Sequence, residues 1–181
     1  MTAAPEPPAA DPITVLLGEH RTILQVLDEV DRESRRLETD GVLREAFWHD
    51  LLQFADVFDA GVHHKKEEAL LFPALERAGL SASSGPTAVL RDEHGRIQFA
   101  RDRLASALQA RDRLRLVTTV ASYVDRVRSH VLKENQILFP LARRLLARDE
   151  LDGLAQAFLA LRASTDVGLW LAHPLAFEAG A

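Results

Sequence analysis

The sequence predicts an all-α protein, an up-down-up-down antiparallel four-helix bundle with a shorter fifth C-terminal helix. Three observations predict it: apolar residues recur at helical spacing through four long segments, short turn signals separate those segments, and strand-like alternation is found nowhere. The chain has 181 residues, 47% hydrophobic and 27% charged, which is room for one domain with a sizeable core and cramped for two.

Each element has its own signal. Residues 1–10, rich in Ala and Pro, offer almost nothing to bury and are expected to be a disordered tail. Asp11-Pro12, an acidic cap followed by proline at the first helical position, starts a helix over about 12–37 whose apolar face is Ile13, Leu16, Leu17, Ile23, Leu24, Leu27 and Val30. Thr39-Asp40-Gly41 breaks that pattern. A second helix over 42–78 carries Leu43, Phe47, Leu51, Phe54, Phe58, Val62, Leu70 and Leu71, and Gly79 ends it. The segment 80–86 is a loop by composition, and Thr87 is the expected cap of a third helix reaching about Ala110. After a turn at Arg111-Asp112, a fourth helix runs to about Ala147 on Leu116, Val120, Val124, Val127, Val131, Leu138 and Leu141. A shorter fifth helix spans about 149–162, so the bundle domain is expected over 11–162, with 163–181 as a tail of no clear periodicity. Pro73 and Pro140 fall inside the second and fourth helices, where each is expected to remove a backbone hydrogen bond and kink the helix.

Composition narrows the chemistry. With 22 Lys+Arg against 27 Asp+Glu the net charge is -5, so there is no basic excess for a nucleic-acid backbone. Zero cysteines exclude disulfides, iron–sulfur clusters, zinc–cysteine sites and thiol catalysis, which leaves His, Asp and Glu as the strong metal ligands. No apolar run approaches the roughly 18 residues of a membrane span, and the first residues lack the basic and apolar parts of a signal peptide. The expected address is the cytoplasm, with no membrane or nucleic-acid partner.

The informative feature is an internal repeat. His63-His64-Lys65-Lys66-Glu67-Glu68-Ala69-Leu70-Leu71-Phe72-Pro73 on the second helix and His130-Val131-Leu132-Lys133-Glu134-Asn135-Gln136-Ile137-Leu138-Phe139-Pro140 on the fourth are one motif at an offset of 67 residues. Glu19-His20 on the first helix and Glu93-His94 on the third, each followed three residues later by isoleucine, form a second repeated pair. The chain therefore reads as two helical hairpins of common pattern. Residues four apart share a helical face, so His63 with Glu67, and His130 with Glu134, present nitrogen and oxygen to one point.

Counting from the turns places His20 20 residues before Asp40 and His63 23 after it, with His94 16 before Ala110 and His130 20 after it. Mismatches of three and four residues are about 5 to 6 Å along the axis, so all four histidines fall near one level. Two imidazoles from the first and third helices and two His/Glu pairs from the second and fourth make six ligands, suited to two metals bridged by carboxylates. A buried ladder of histidines and glutamates without a cation would leave the desolvation of two carboxylates uncompensated.

This pattern resembles the hemerythrin-like (HHE cation-binding) family of four-helix non-haem di-iron proteins, over about residues 12–162. The resemblance implies two iron ions in an oxo- or hydroxo-bridged centre, with His20 and His63 on one iron, His94 and His130 on the other, and Glu67 and Glu134 as bridges. It departs from hemerythrin itself, whose third helix carries a second histidine where this chain has Gln98, and whose last carboxylate is an aspartate at longer spacing than Glu134. The closer branch is the one with the pattern His, His-x-x-x-Glu, His, His-x-x-x-Glu. One histidine fewer leaves an open coordination position, which favours chemistry over reversible oxygen carriage. The resemblance implies small oxidants as partners: O2 or hydrogen peroxide, in catalase-like oxidative-stress defence, or nitric oxide. A non-catalytic iron or oxygen sensing module is the alternative, and a metal-free helical interaction domain ranks far below both. Mn or Zn also suit such donors.

Other residues carry more than one reading. His64 and Glu68 form a second four-residue pair rotated about 100° from the first on a regular helix, so His64 is expected behind the ligands or at the surface. Tyr123, two turns before His130, is a candidate catalytic residue, as fill-in ligand, proton donor or radical trap, or else a core tyrosine with its hydroxyl hydrogen-bonded. Asp59 and Arg126, one turn before His63 and His130, either pair as a clamp or face solvent. His49 and His173 fit neither motif, and Trp48 and Trp170 are expected to be packing residues.

Overall fold

The computed structural model describes residues 10–163; Trp170, His173 and the predicted tails at 1–10 and 163–181, apart from their innermost residues 10 and 163, lie outside that range. Five helices and no strands make up the described chain: α1 (Pro12–Asp40), α2 (residues 45–77), α3 (Pro86–Gln109), α4 (residues 113–145) and α5 (Arg148–Ala163). Helices α1 to α4 pack antiparallel, and α5 folds back on α1 and on the Glu67–Leu71 stretch in the last third of α2. None of the described helices is long and apolar enough to cross a membrane.

Local chemistry sets the boundaries. Asp11 caps α1 by accepting from the Thr14 N–H at 2.9 Å, with Pro12 in the first turn. At its other end Gly41 adopts φ 69° and donates its N–H to Leu37, the left-handed stop that glycine takes without a Cβ penalty. Asp112 caps α4 through the Arg115 N–H at 3.0 Å. The start of α3 differs from expectation: the cap falls on Gly85, with Pro86 opening the helix and Thr87 already buried inside it.

Two further differences bear on the site. Helices α2 and α4 do not kink simply at their prolines; each widens into a π-helical turn just before, Glu67–Leu71 ahead of Pro73 and Glu134–Leu138 ahead of Pro140. There the N–H groups of Phe72 and Phe139 reach back to the carbonyls of Glu67 and Glu134, so the ladder skips a residue and proline enters a resumed α-helical first turn. A longer π-helical stretch, Ala55–His64, occupies the centre of α2.

The core is divided. One apolar cluster, including Val26, Trp48, Phe58, Leu104 and Val127, fills the end nearer the α1–α2 and α3–α4 turns. A second, including Ile13, Leu16, Phe72, Leu75, Phe139 and Phe158, fills the other end, where α5 contributes Leu154 and Phe158. Between them lies a layer of buried histidine, glutamate and lysine side chains.

Candidate metal centre

Each helix of the bundle sends one imidazole into that layer: His20 from α1, His63 from α2, His94 from α3 and His130 from α4, all at most 6% exposed. They converge in pairs. His20 and His63 face each other Nε2 to Nε2 at 3.0 Å, and His94 and His130 do the same at 3.0 Å. Outside the centre every Nδ1 donates to an acceptor: His20 to Asn135 Oδ1 at 2.7 Å, His63 to Glu19 Oε2 at 3.0 Å, His94 to Glu68 Oε1 at 2.6 Å and His130 to Glu93 Oε2 at 3.1 Å. With the hydrogen spent on Nδ1, each Nε2 aims a lone pair at its partner. Two facing lone pairs need a shared proton or a cation, and about 3 Å is the spacing of neighbouring nitrogen donors on one transition-metal ion.

The two fully buried glutamates tie the pairs together. Glu67 sets Oε1 3.7 Å from His63 Nε2 and Oε2 3.4 Å from His94 Nε2. Glu134 sets Oε1 3.1 Å from His130 Nε2 and Oε2 3.1 Å from His20 Nε2. Each carboxylate thus divides its oxygens between the two histidine pairs, while none of the four oxygens has an aligned hydrogen-bond donor. Two pockets result, His20/His63/Glu67/Glu134 and Glu67/His94/His130/Glu134, each with its donor atoms within 4.8 Å of one another, and they share both glutamates. Buried nitrogen and oxygen donors without hydrogen-bond partners fit borderline cations such as iron, manganese or zinc.

Electrostatics point the same way. Burial would push the imidazoles of His20 and His94 down, but the carboxylates of Glu134 and Glu67 beside them raise both. Burial likewise opposes protonation of His130, yet Glu134 pushes it up to about 9. Burial alone would raise the Glu134 carboxyl; the His130 charge holds it well below the usual range instead. Protons on the histidines therefore stand in for the positive charge that two buried carboxylates demand.

The repeated motifs have structural roles beyond the ligands. Lys66, wholly buried, is ion-paired to Glu19, and Lys133 to Glu93, so each Glu of a Glu-His pair is gripped by the Lys and His of one His-x-x-Lys. Phe139 stacks on His20 with centroids 5.1 Å apart, and Phe72 stacks on His94 at 5.8 Å, which is what the phenylalanine before each proline does. The position after each ligand glutamate orients a histidine of the other hairpin, Glu68 for His94 and Asn135 for His20. Lys66, Lys133, Glu19, Glu93, Glu68 and Asn135 were not singled out as functional, although all lie within or beside the repeat that signals them.

Of the two places expected for His64, behind the ligands or at the surface, its burial excludes the surface: it is 7% exposed. Burial pushes its imidazole well down, and the ring stacks on His94 with centroids 3.8 Å apart. Asp59 is buried with Oδ1 3.4 Å from His64 Nε2, whereas Arg126 is exposed, so these two do not form a clamp. Burial raises the Asp59 carboxyl and lifts Tyr123 well above its ordinary value, with the neighbouring Asp59 charge raising it further. Tyr123 lies buried in the apolar cluster that also holds Val124 and Val127. Trp48 is a core residue and His49 is exposed, away from the layer.

The layer has a door. A surface cleft of about 580 Å³ between α2 and α3 has His64 and His94 in its wall, with Lys65, Glu68, Gly95 and Gln98 around them.

Comparison with known proteins agrees with this geometry. The hemerythrin HHE cation-binding domain matches residues 11–142. Uncharacterized proteins of Mycobacterium bovis and Mycobacterium tuberculosis are 28% identical over 149 residues, covering 79% of this chain. The chain spans 58% of the length of these relatives. No solved structure matches it.

Proposed function

We propose that this chain, which belongs to the hemerythrin HHE cation-binding family, holds two iron ions and uses them to decompose hydrogen peroxide. The observation that carries the reading is the division of each glutamate between two histidine pairs: Glu67 and Glu134 each face a nitrogen of both. His20 and His63 would hold one ion, His94 and His130 the other, with both carboxylates shared. Two irons so held would supply paired one-electron exchange and Lewis acidity, the chemistry needed to convert two peroxides into dioxygen and two waters.

The protein's own contribution is orientation and access. Outer hydrogen bonds from Glu19, Glu93, Glu68 and Asn135 lock every imidazole with its donor nitrogen inward. Apolar clusters on either side exclude bulk water, and the α2–α3 cleft limits entry to small molecules reaching the His94 face. Glu68, in the cleft wall and bonded to His94 Nδ1, is placed to exchange protons between that nitrogen and solvent. The cytoplasm is the setting in which we expect this activity.

The test is metal analysis of protein purified without chelator, paired with a peroxide-consumption assay on wild type and Glu134→Ala. Two irons per chain, rapid peroxide loss in wild type and loss of both in the variant are expected. Two irons with no peroxide consumption would favour a sensing or storage role, and undiminished turnover in Glu134→Ala would refute the site.

A further inference from the structure

We infer that His64 is an additional metal ligand, a third imidazole in the pocket formed by His94 and His130, which makes the two ion sites chemically unequal. The inference rests on the two-ion reading above and extends it to a residue outside the repeat, since the equivalent of His64 in the other hairpin is Val131.

Four observations carry it. His64, His94 and His130, all buried, each offer a ring nitrogen within 4.8 Å of the other two, a trio that meets the Glu67/His94/His130/Glu134 pocket at His94 and His130. The carboxylate Oδ1 of Asp59, buried and without a hydrogen-bond partner of its own, stands 3.4 Å from His64 Nε2. Carboxylate, imidazole and ion in a row is the usual way a ligand histidine is oriented. Here the ring is reversed relative to the other four, whose Nδ1 faces outward, so Nδ1 of His64 is the nitrogen left for a cation.

The third observation is the backbone. The π-helical stretch Ala55–His64 ends on His63 and His64, both buried, and within it a Cβ at Gly61 would stand 2.9 Å from the Asp56 carbonyl oxygen. Fourth, the pocket of His20 and His63 includes no comparable extra histidine among the described residues. The ion on the His94 side is therefore bound by more nitrogen and stands beside the cleft, and the ion on the His20 side is the more weakly ligated of the two.

The experiment is anaerobic Fe(II) titration of the chelator-stripped full chain, as wild type, His64→Ala and Gln98→Ala, with helicity checked by circular dichroism. Wild type should take two ions. His64→Ala should keep one and bind the other at least roughly tenfold more weakly. Because His64 lines the cleft, added imidazole should restore the lost affinity, which a merely packing role would not allow. Gln98→Ala should behave as wild type. A second measurement needs no variant: in the Co(II)-loaded wild type, hyperfine-shifted exchangeable N–H resonances should number one for His64 in addition to those of His20, His63, His94 and His130. The inference is overturned if folded His64→Ala binds both ions at wild-type affinity, or if the cobalt protein shows no His64 resonance. Failure of wild type to bind any ion would overturn the two-ion reading itself, a result distinguishable from either.

Discussion

Lys66 lies wholly inside the bundle with its ammonium ion-paired to Glu19, and the second oxygen of Glu19 accepts the Nδ1 hydrogen of His63 at 3.0 Å. Its counterpart in the second hairpin, Lys133 on Glu93, is half-exposed, with 42% of its side chain open to solvent. The two copies of one motif therefore sit in different dielectric surroundings, and the same substitution should have different consequences.

Lys66→Met removes the only ammonium from Glu19 and leaves its buried carboxylate with the His63 Nδ1 hydrogen alone, at an expected cost of about 3 kcal/mol. Lys133→Met should cost about 1 kcal/mol or less. Chemical denaturation of the chelator-stripped protein measures both. Equal losses would mean that burial does not govern these pairs.

The raised histidines give the metal-free protein a pH signature. His130 moves from an ordinary 6.5 to about 9, and His20 and His94 move in the same direction. A group whose folded value lies above its unfolded one contributes fully below the unfolded value and loses that contribution as pH rises through the folded one. The stripped protein should therefore lose melting temperature between about pH 6.5 and pH 9. Metal competes with the same protons, so affinity should rise over this window and flatten the decline. Thermal melts with and without Fe(II) across the range check both statements.

Gly61 and Gly95 make a matched pair. A methyl at Gly61 meets the Asp56 carbonyl at 2.9 Å, whereas one at Gly95, inside α3, meets nothing within 4 Å. Gly61→Ala should cost about 1–3 kcal/mol and impair metal uptake by displacing His63 and His64 together. Gly95→Ala should instead gain up to about 1 kcal/mol from helix propensity. Urea midpoints and iron content of the two variants separate the effects.

Phe139 is fully buried and stacked on His20, so Phe139→Ala should cost about 3–5 kcal/mol and loosen the imidazole it supports. Phe139→Leu, which retains most of the volume, should recover much of the stability. If metal affinity recovers equally, volume and not ring stacking positions His20.

Much of the bundle was legible because apolar periodicity and caps are local properties: Asp11-Pro12, Gly41 and Asp112 mark ends where the sequence placed them. The six side chains of the layer were legible because they are repeated, and depth counting set His20, His63, His94 and His130 at one level. Which of its two expected places His64 takes was not legible, because burial of a polar side chain outside the repeat is a tertiary property that helical spacing does not carry. Glu19 and Lys66 belong to the motif, but their grip on His63 joins α1 to α2, a relation that one helix cannot announce. The position of α5, with Phe158 closing the lower core and its ring 5.7 Å from Lys66 Nζ, likewise depends on tertiary docking.

Neither hairpin finishes a pocket by itself. The first provides His20, His63 and Glu67 and takes Glu134 from the second; the second provides His94, His130 and Glu134 and takes Glu67 from the first. The centre is thus a clasp with one tooth from each half engaged in the other. Prying the halves apart would break both pockets in a single event, so neither can be opened by separating the hairpins while the other stays whole.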